Sequence, residues 1–407
     1  MSKSLKKVAV FFGGRSPEHD VSVVTGLQVL HAMDSSLYEA FPVYITPDGT
    51  WLVGDVLRKR ESYLLNESRK ALTQKVFLDV TFGQGGRLMP EKKGLFGKPA
   101  PILFDVAVPC FHGLYGEDGN FQGIMEFAGI PYAGMRTMAS SVLMDKAATK
   151  KVLQAAGIPV LPYAVIARPD AGYMIPAETL QSMMGEVEFP CIVKPCHLGS
   201  SIGVAKATTL EELRACLPAI FECDDSAMIE PFVEHLVEYN VAVSKAFGGV
   251  RTSAIERPKG TDELLDFKQK YLSGGNGKSG SKLGSKTSAP VSEGMLSLTR
   301  DINPALDKAM ERDIKTWAGQ MFAAVNGTGA PRIDFIGNRQ TGQLWLNEVN
   351  PWPGSIGYFL WEAAEKPALF TELLNALIAE AFAEHRKRAL PKDPVPVAAR
   401  LFERRSV

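Results

Sequence analysis

The sequence has no excess of charge of either sign: 45 Lys and Arg stand against 45 Asp and Glu in 407 residues. That balance argues against nonspecific nucleic-acid binding, which needs a basic surplus to release counterions from phosphates. Cysteine is scarce and unpatterned. The five (Cys110, Cys191, Cys196, Cys216, Cys223) are odd in number and form no CxxC pair, so neither a disulfide framework nor a zinc knuckle is indicated. Long apolar runs are also missing. The N-terminal Val8–Phe12 stretch is too short for a signal-peptide core, and nothing reaches the roughly 18 residues of a spanning helix. The expected compartment is a reducing cytoplasm.

What is present is an average globular composition, 45% hydrophobic and 22% charged, in a chain long enough for two or three domains at roughly 150 residues each. Val8–Phe12 reads as a buried strand, closed by Gly13-Gly14 and followed by an amphipathic helix from about Val21 to Met33. A second strand, Glu39–Ile45, completes a unit that favours a parallel sheet. Phe104–Phe111 reads as one further buried strand and Phe121–Ala128 as a short helix, while 55–101 is polar and resists assignment. From Ala139 the pattern changes: a helix through Lys146–Ala156, strands at Tyr163–Ile166 and Cys191–Lys194, a glycine loop, a helix at Leu210–Leu217, and strands at Ala227–Glu230 and Tyr239–Ser244. Domain boundaries are expected near 140 and 240, with no internal repeat.

Four segments can carry chemistry. Pro331-Arg332-Ile333-Asp334-Phe335 and Leu344-Trp345-Leu346-Asn347-Glu348-Val349-Asn350 both read as strands. Period two puts Arg332 with Asp334, and Glu348 with Asn350, on one face. Hard oxygen ligands of this kind suit Mg²⁺ bound together with phosphates. The same pattern also fits a solvated hairpin face with cross-strand ion pairs. Val193–Val204 carries a strand-end lysine, Lys194, then Gly199-Ser200-Ser201-Ile202-Gly203; point charge and exposed N–H groups suit phosphate oxygens, as an ordinary hairpin turn would also explain. Gly13–Ser22 puts a glycine turn before a helix N-terminus but lacks GxGxxG, which argues against a dinucleotide site. His112-Gly113-Leu114-Tyr115-Gly116-Glu117-Asp118-Gly119 follows another strand. The most biased stretch, Ser273–Ala289, holds five Gly, five Ser and three Lys. It is expected to be mobile, either as a surface loop or as a lid over an anion through Lys278, Lys282 and Lys286. Leu272 stands where a P-loop needs its first glycine, which excludes that motif.

Taken in order, GGRSPEHDVS, HGLYGEDGNFQGIMEFAGIPYAG, the MDK at Met144–Lys146, VKPCHLGSSIGV, KYLSGG, RIDF and NEVNPWPG resemble the D-alanine–D-alanine ligase family of the ATP-grasp fold, over most of the chain. The resemblance implies an α/β architecture in three parts: an N-terminal parallel-sheet domain over 1–140, a central ATP-grasp domain over 141–240, and a C-terminal one over 241–407 with a lid at about 257–293. It implies a ligase that uses ATP to phosphorylate one D-alanine carboxylate, after which the amine of a second attacks the acyl phosphate. A related ligase making another dipeptide or amide in specialised metabolism is the alternative. A degenerate fold that only binds nucleotide is disfavoured by the intact Arg332, Asp334, Glu348 and Asn350.

Residue by residue, Lys146 and Lys194 match nucleotide-phosphate lysines, Glu230 the adenine-side residue and Glu238 the ribose one. Asp334, Glu348 and Asn350 match ligands of two Mg²⁺ ions, with Mn²⁺ as a substitute. Arg332 and the Gly354 N–H match oxyanion stabilisers. Glu18, Ser200 and Tyr271 match the hydrogen-bonded set that fixes the first amino acid and the lid, and His112 a substrate-site histidine. Lys270 matches the lysine for the second carboxylate, but Phe359-Leu360 stands where the family carries Ser-Leu, so a ring replaces a hydroxyl. The expected partners are amino acids and ATP, with neither nucleic acid nor membrane, and a homodimer is the expected assembly.

Overall fold

The computed structural model describes residues 5–63, 72–91, 100–259, 300–389 and 399. Strand β1 (Lys6–Gly13) is buried from Val8 onward, as a continuous apolar run requires when both faces of a strand are covered. Helix α1 (His19–Ala32) leads to β2 (Tyr38–Ile45), which pairs parallel with β1.

Beyond β2 the sheet continues antiparallel through β3 (Trp51–Val53), β4 (Gln74–Leu78), β5 (Gly86–Pro90) and β6 (Ile102–Phe104). On the other side of β1 lies β7 (Val106–Pro109), again parallel. The first sheet is therefore parallel only in β2, β1 and β7, and the polar 55–101 segment supplies much of the antiparallel remainder. The expected single strand Phe104–Phe111 is two. Asp105 breaks it: its N–H donates to the Lys7 carbonyl at 2.8 Å and its carboxylate accepts from the Lys7 N–H at 2.8 Å. The flanking strands then fall at opposite ends of the seven-strand order, and the sheet curls until both ends meet at β1. Apolarity reports burial, not the partner strand, so the run concealed the break.

Helices α2 (Asn120–Ala128) and α3 (Thr137–Met144) follow, then α4 (Lys146–Ala155), whose N-terminus is capped by the Asp145 carboxylate. The second sheet, in the order β10-β9-β11-β8, is antiparallel: β8 (Ala164–Ala167), β9 (Cys191–Pro195), β10 (Ala205–Ala207) and β11 (Ser226–Pro231). Helices α5 (Ala177–Met183) and α6 (Leu210–Phe221) bury Leu180, Leu213 and Leu217 against it.

The third sheet, β14-β13-β12-β15-β16, is antiparallel throughout. Its strands are β12 (Leu236–Ser244), β13 (Arg251–Pro258), β14 (Arg300–Ile302), β15 (Arg332–Asn338) and β16 (Leu344–Asn350). Helix α7 (Lys308–Ala324) covers one face through Ile314, Ala318, Met321 and Phe322. After a short turn, α8 (Tyr358–Glu362) and α9 (Phe370–Arg388) return to the first sheet, where Trp361, Leu373 and Leu377 share a core with Val8, Val10 and Phe12. Each such fully buried side chain contributes about 1.5–3 kcal/mol, which ties the two ends of the chain together. The face of the third sheet opposite α7 carries a row of polar residues from β13, β12, β15 and β16.

Candidate active site

The strand register builds a polar row across the third sheet. Glu256 on β13 pairs with Asn240 on β12, Asn240 with Asp334 on β15, and Asp334 with Glu348 on β16. One step along, Arg332 faces Asn350. Arg332 grips Asp334 with both arms, Nε to Oδ1 at 2.7 Å and Nη2 to Oδ2 at 2.6 Å, and Asn350 Nδ2 donates to Oδ2 at 3.0 Å. Burial pushes the Asp334 carboxyl above its usual range; Arg332 opposes this, while Glu348 and Glu256 reinforce it. Burial alone would lower the Arg332 guanidinium, and Asp334 outweighs it, so the arginine stays charged.

Two carboxylates and an amide oxygen on one face form a hard-oxygen donor set that fits a divalent cation. Each carboxylate oxygen that serves Arg332 or Asn350 keeps a second lone pair.

Lysines approach this face from the second sheet and α4. Lys146 Nζ lies 3.7 Å from Glu348 and donates to the Leu198 carbonyl at 2.6 Å. Lys194 Nζ is 2.5 Å from Glu230 and 3.0 Å from Asn347 Oδ1, which joins the second sheet to β16. Lys150 takes the other Glu230 oxygen at 2.5 Å. The Glu230 side chain is thus buried between two lysines rather than turned toward an open face, and its carboxyl is held low by those lysines against the effect of burial. Glu238 sits half-buried on β12 opposite Ile336.

Three loops from separate parts of the chain converge on Glu18. Its carboxylate accepts a hydrogen bond from the Ser200 hydroxyl, 182 residues away. A Cβ built on Gly113, whose φ is +71°, would lie 2.6 Å from Glu18 Oε2, so that position needs glycine, and one on Gly199 would come to a tight 3.2 Å from the same oxygen. Burial, then neighbouring Glu117, raises the Glu18 carboxyl.

Behind Glu18, Glu117 accepts from the Gly113 N–H at 2.7 Å and the Trp352 N–H at 3.0 Å. His112, almost wholly buried, has Nε2 2.8 Å from the Thr25 hydroxyl and Nδ1 3.8 Å from Glu117. Thr25 in turn accepts from the Ser355 N–H at 3.1 Å. Gly354 is exposed and opens a turn in which Ser355 and Ile356 both have positive φ. Phe359 lies on α8, half-buried, edge-on to Tyr358 and beneath the Arg300 guanidinium at 4.6 Å. Lys270, Tyr271 and the glycine-rich stretch expected to form a lid lie outside the described residues.

Sequence reasoning missed Glu256, Asn240, Lys150 and Thr25. Glu256 and Asn240 join the row only through strand register, and neither stands in a motif. Lys150, one turn after Lys146 on α4, was the one legible signal.

The model described as "D-ala D-ala ligase N-terminus" matches residues 7–135, and "D-ala D-ala ligase C-terminus" matches 152–379. The D-alanine–D-alanine ligase of Thermosipho africanus is 31% identical over 92% of this chain and 93% of its own length. D-alanine–D-alanine ligase A of Bradyrhizobium diazoefficiens is 31% identical over 94% and 96%. Among solved structures, the D-alanine-D-alanine ligase of Coxiella burnetii superposes with a TM-score of 0.72 at 23% identity, covering 95% of this chain and 96% of that one. The VanG D-Ala:D-Ser ligase of Enterococcus faecalis gives 0.70 at 24%, covering 93% and 100%. The fold is ATP-grasp, and the chain belongs to the D-alanine–D-alanine ligase family.

Proposed function

We propose that the chain is an ADP-forming carboxylate–amine ligase that activates one D-alanine with ATP and joins it to a second, serving peptidoglycan precursor synthesis in the cytoplasm. The observation that carries the reading is the junction at Glu18, where three loops from separate motifs meet beside the Arg332–Asp334–Glu348 face.

In this reading Lys146 and Lys194 hold the nucleotide phosphates, Glu230 fixes Lys194 next to the adenine side, and Glu238 faces the ribose. The first carboxylate attacks the terminal phosphorus and ADP leaves. The second amine adds to the resulting acyl phosphate, and the tetrahedral adduct expels phosphate to leave an amide. Arg332 and the Gly354 N–H carry the oxyanion charge of that adduct. Glu18, Ser200 and Tyr271 orient the first amino acid, with His112 behind them, while Lys270 and Phe359 border the second. Asp334, Glu348 and Asn350 would hold divalent ions, two Mg²⁺ or Mn²⁺ in their place, whose charge offsets that of the triphosphate during transfer.

The three-part division at about 140 and 240 is part of the proposal, supported by the presence of three sheets, although β12 already begins at Leu236. A second copy of this chain is the proposed partner. Exposed Phe82, Ile124, Phe127 and Met138 around α2 offer it an apolar face, and light scattering should return twice the chain mass.

A different acceptor is the second reading, favoured by the ring at Phe359. Both are tested by ADP release over a panel of D- and L-amino acids, with products weighed by mass spectrometry. ADP release that needs D-alanine and yields its dipeptide supports the first. Strict dependence on another amine, or turnover with L-amino acids alone, supports the second, and no ADP release with any member of the panel would remove both.

A further inference from the structure

Two arginines border the polar row of the third sheet, and they are held differently. Arg332 has already committed its forked edge, Nε and Nη2, to Asp334. Arg300 opens the edge strand β14. Its Nη1 lies 2.9 Å from Glu256, a side chain only 2% exposed, and its guanidinium stacks 4.6 Å over the Phe359 ring. A buried acid on one side and an aromatic face below fix the plane of the group, yet the Arg300 side chain keeps 32% of its surface open. Glu256 is the outer member of the Glu256–Asn240–Asp334–Glu348 row, so Arg300 stands at the margin of the face assigned above to catalysis.

We propose that Arg300, braced by Glu256 and Phe359, is the receptor for the carboxylate of the second, amine-bearing amino acid. The proposal rests on the ligase reading above and adds the residue that receives the acceptor's carboxylate. A guanidinium presents five donors in a plane. Glu256 meets one nitrogen, which leaves an edge for two parallel bonds to a carboxylate. The polar row already holds three acids, so an incoming carboxylate needs a cation of its own. The aromatic ring at Phe359, where the family resemblance expects a hydroxyl donor, then has a use: it seats an arginine that brings donors to the same place. Lysine cannot substitute fully, because its ammonium offers neither the flat stacking face nor the fork.

The test uses D-alanine as activated substrate in competition with D-alaninamide, which has an amine but no carboxylate to activate and so enters only as acceptor. The ratio of free dipeptide to dipeptide amide reads recognition of the acceptor carboxylate directly. Arg300→Gln is expected to collapse that ratio roughly tenfold to a hundredfold, the loss of a charge-assisted contact, with the KM for ATP unchanged. Arg300→Lys is expected to fall between, and Phe359→Leu, which keeps apolar area but removes the ring face, to lower the ratio a few-fold. A wild-type ratio in Arg300→Gln overturns the proposal. Should that variant not fold, a wild-type ratio in both Arg300→Lys and Phe359→Leu overturns it instead. Failure of the unsubstituted protein to consume ATP with any D-amino acid would instead remove the ligase reading itself.

Discussion

His197 shows how one side chain can hold two loops in register. It lies in the connection between β9 and β10, with Nδ1 2.7 Å from Asp224 and Nε2 3.7 Å from Asp145. Asp145 also caps α4, accepting from the Ala147 N–H at 2.8 Å, and the first residue of that helix is Lys146. The carboxylates of Asp145 and Asp224 push the imidazole up to about 10 against the opposing effect of burial. A histidine whose folded pKa is raised contributes stability that is complete below about 6.5 and lost as pH rises through the folded value. His197→Gln should therefore lower stability by about 2 kcal/mol near pH 6.5, a figure reduced for the open part of the ring. The gap should close above pH 10, as urea unfolding at the two pH values will report. The KM for ATP should rise several-fold with it, because the cap that orients Lys146 loosens; an unchanged KM would confine His197 to stability. The sequence displays this histidine beside Gly199-Ser200-Ser201 but not its carboxylates, which come from a helix cap and from the turn before β11. Arg332 and Asp334 were legible because two residues of one strand share a face whatever the fold. Glu256 and Asn240 were not, because their place depends on which strands pair.

At the scale of the element, the β15–β16 hairpin concentrates the chemistry. Alternation along β15 buries Ile333 and Phe335 and turns Arg332 and Asp334 the other way. In β16 a register shift at Asn347 lets Glu348 and Asn350 join that polar face although Leu344 and Leu346 are buried. Glu348 is 31% exposed at its side chain and lies 3.7 Å from Lys146, whose side chain is 10% exposed. A partly buried but long pair of this kind contributes about 1 kcal/mol. Glu348→Gln should then leave the thermal midpoint within a few degrees of the original while ADP release falls on the order of a hundredfold or more, as expected when charge compensation at the transferring phosphate is lost. Activity retained at low Mg²⁺ would count against Glu348 as a metal ligand. Other elements were less legible. The first sheet's antiparallel strands lie in or flank a polar stretch whose alternation is weak, since all four span only three to five residues and two carry exposed apolar groups, Phe77 and Leu103. The break at Asp105 needed the curl of the whole sheet to become visible.

At the scale of the whole molecule, α9, the last helix among the described residues, closes the fold over the first sheet, and one buried acid in it couples that closure to pH. Glu380 on α9 accepts from the Gly329 N–H at 2.7 Å, just ahead of β15. Burial pushes its carboxyl up to about 7, with Glu384 adding to the rise, while the Gly329 bond, Lys245 and Lys387 pull the other way. The sign is the reverse of a salt-bridged carboxylate. An acid raised in the folded state supplies stability that is present below its unfolded pKa, near 4.5, and lost as pH rises through about 7. Above that pH the fold must keep a charge where it prefers a neutral group, at a cost of about 3 kcal/mol. Glu380→Gln keeps an oxygen for the Gly329 N–H and removes the ionisation. It should be close to neutral at pH 5 and more stable than the original by roughly that amount at pH 8.5, with ligase turnover little changed because Glu380 takes no part in the polar row. Thermal midpoints of the two proteins at both pH values make the measurement. A stabilisation of the same size at pH 5 would mean that the glutamine improves packing rather than relieving a buried charge, and a loss at both would mean that Glu380 stays neutral and donates a hydrogen bond the amide cannot replace.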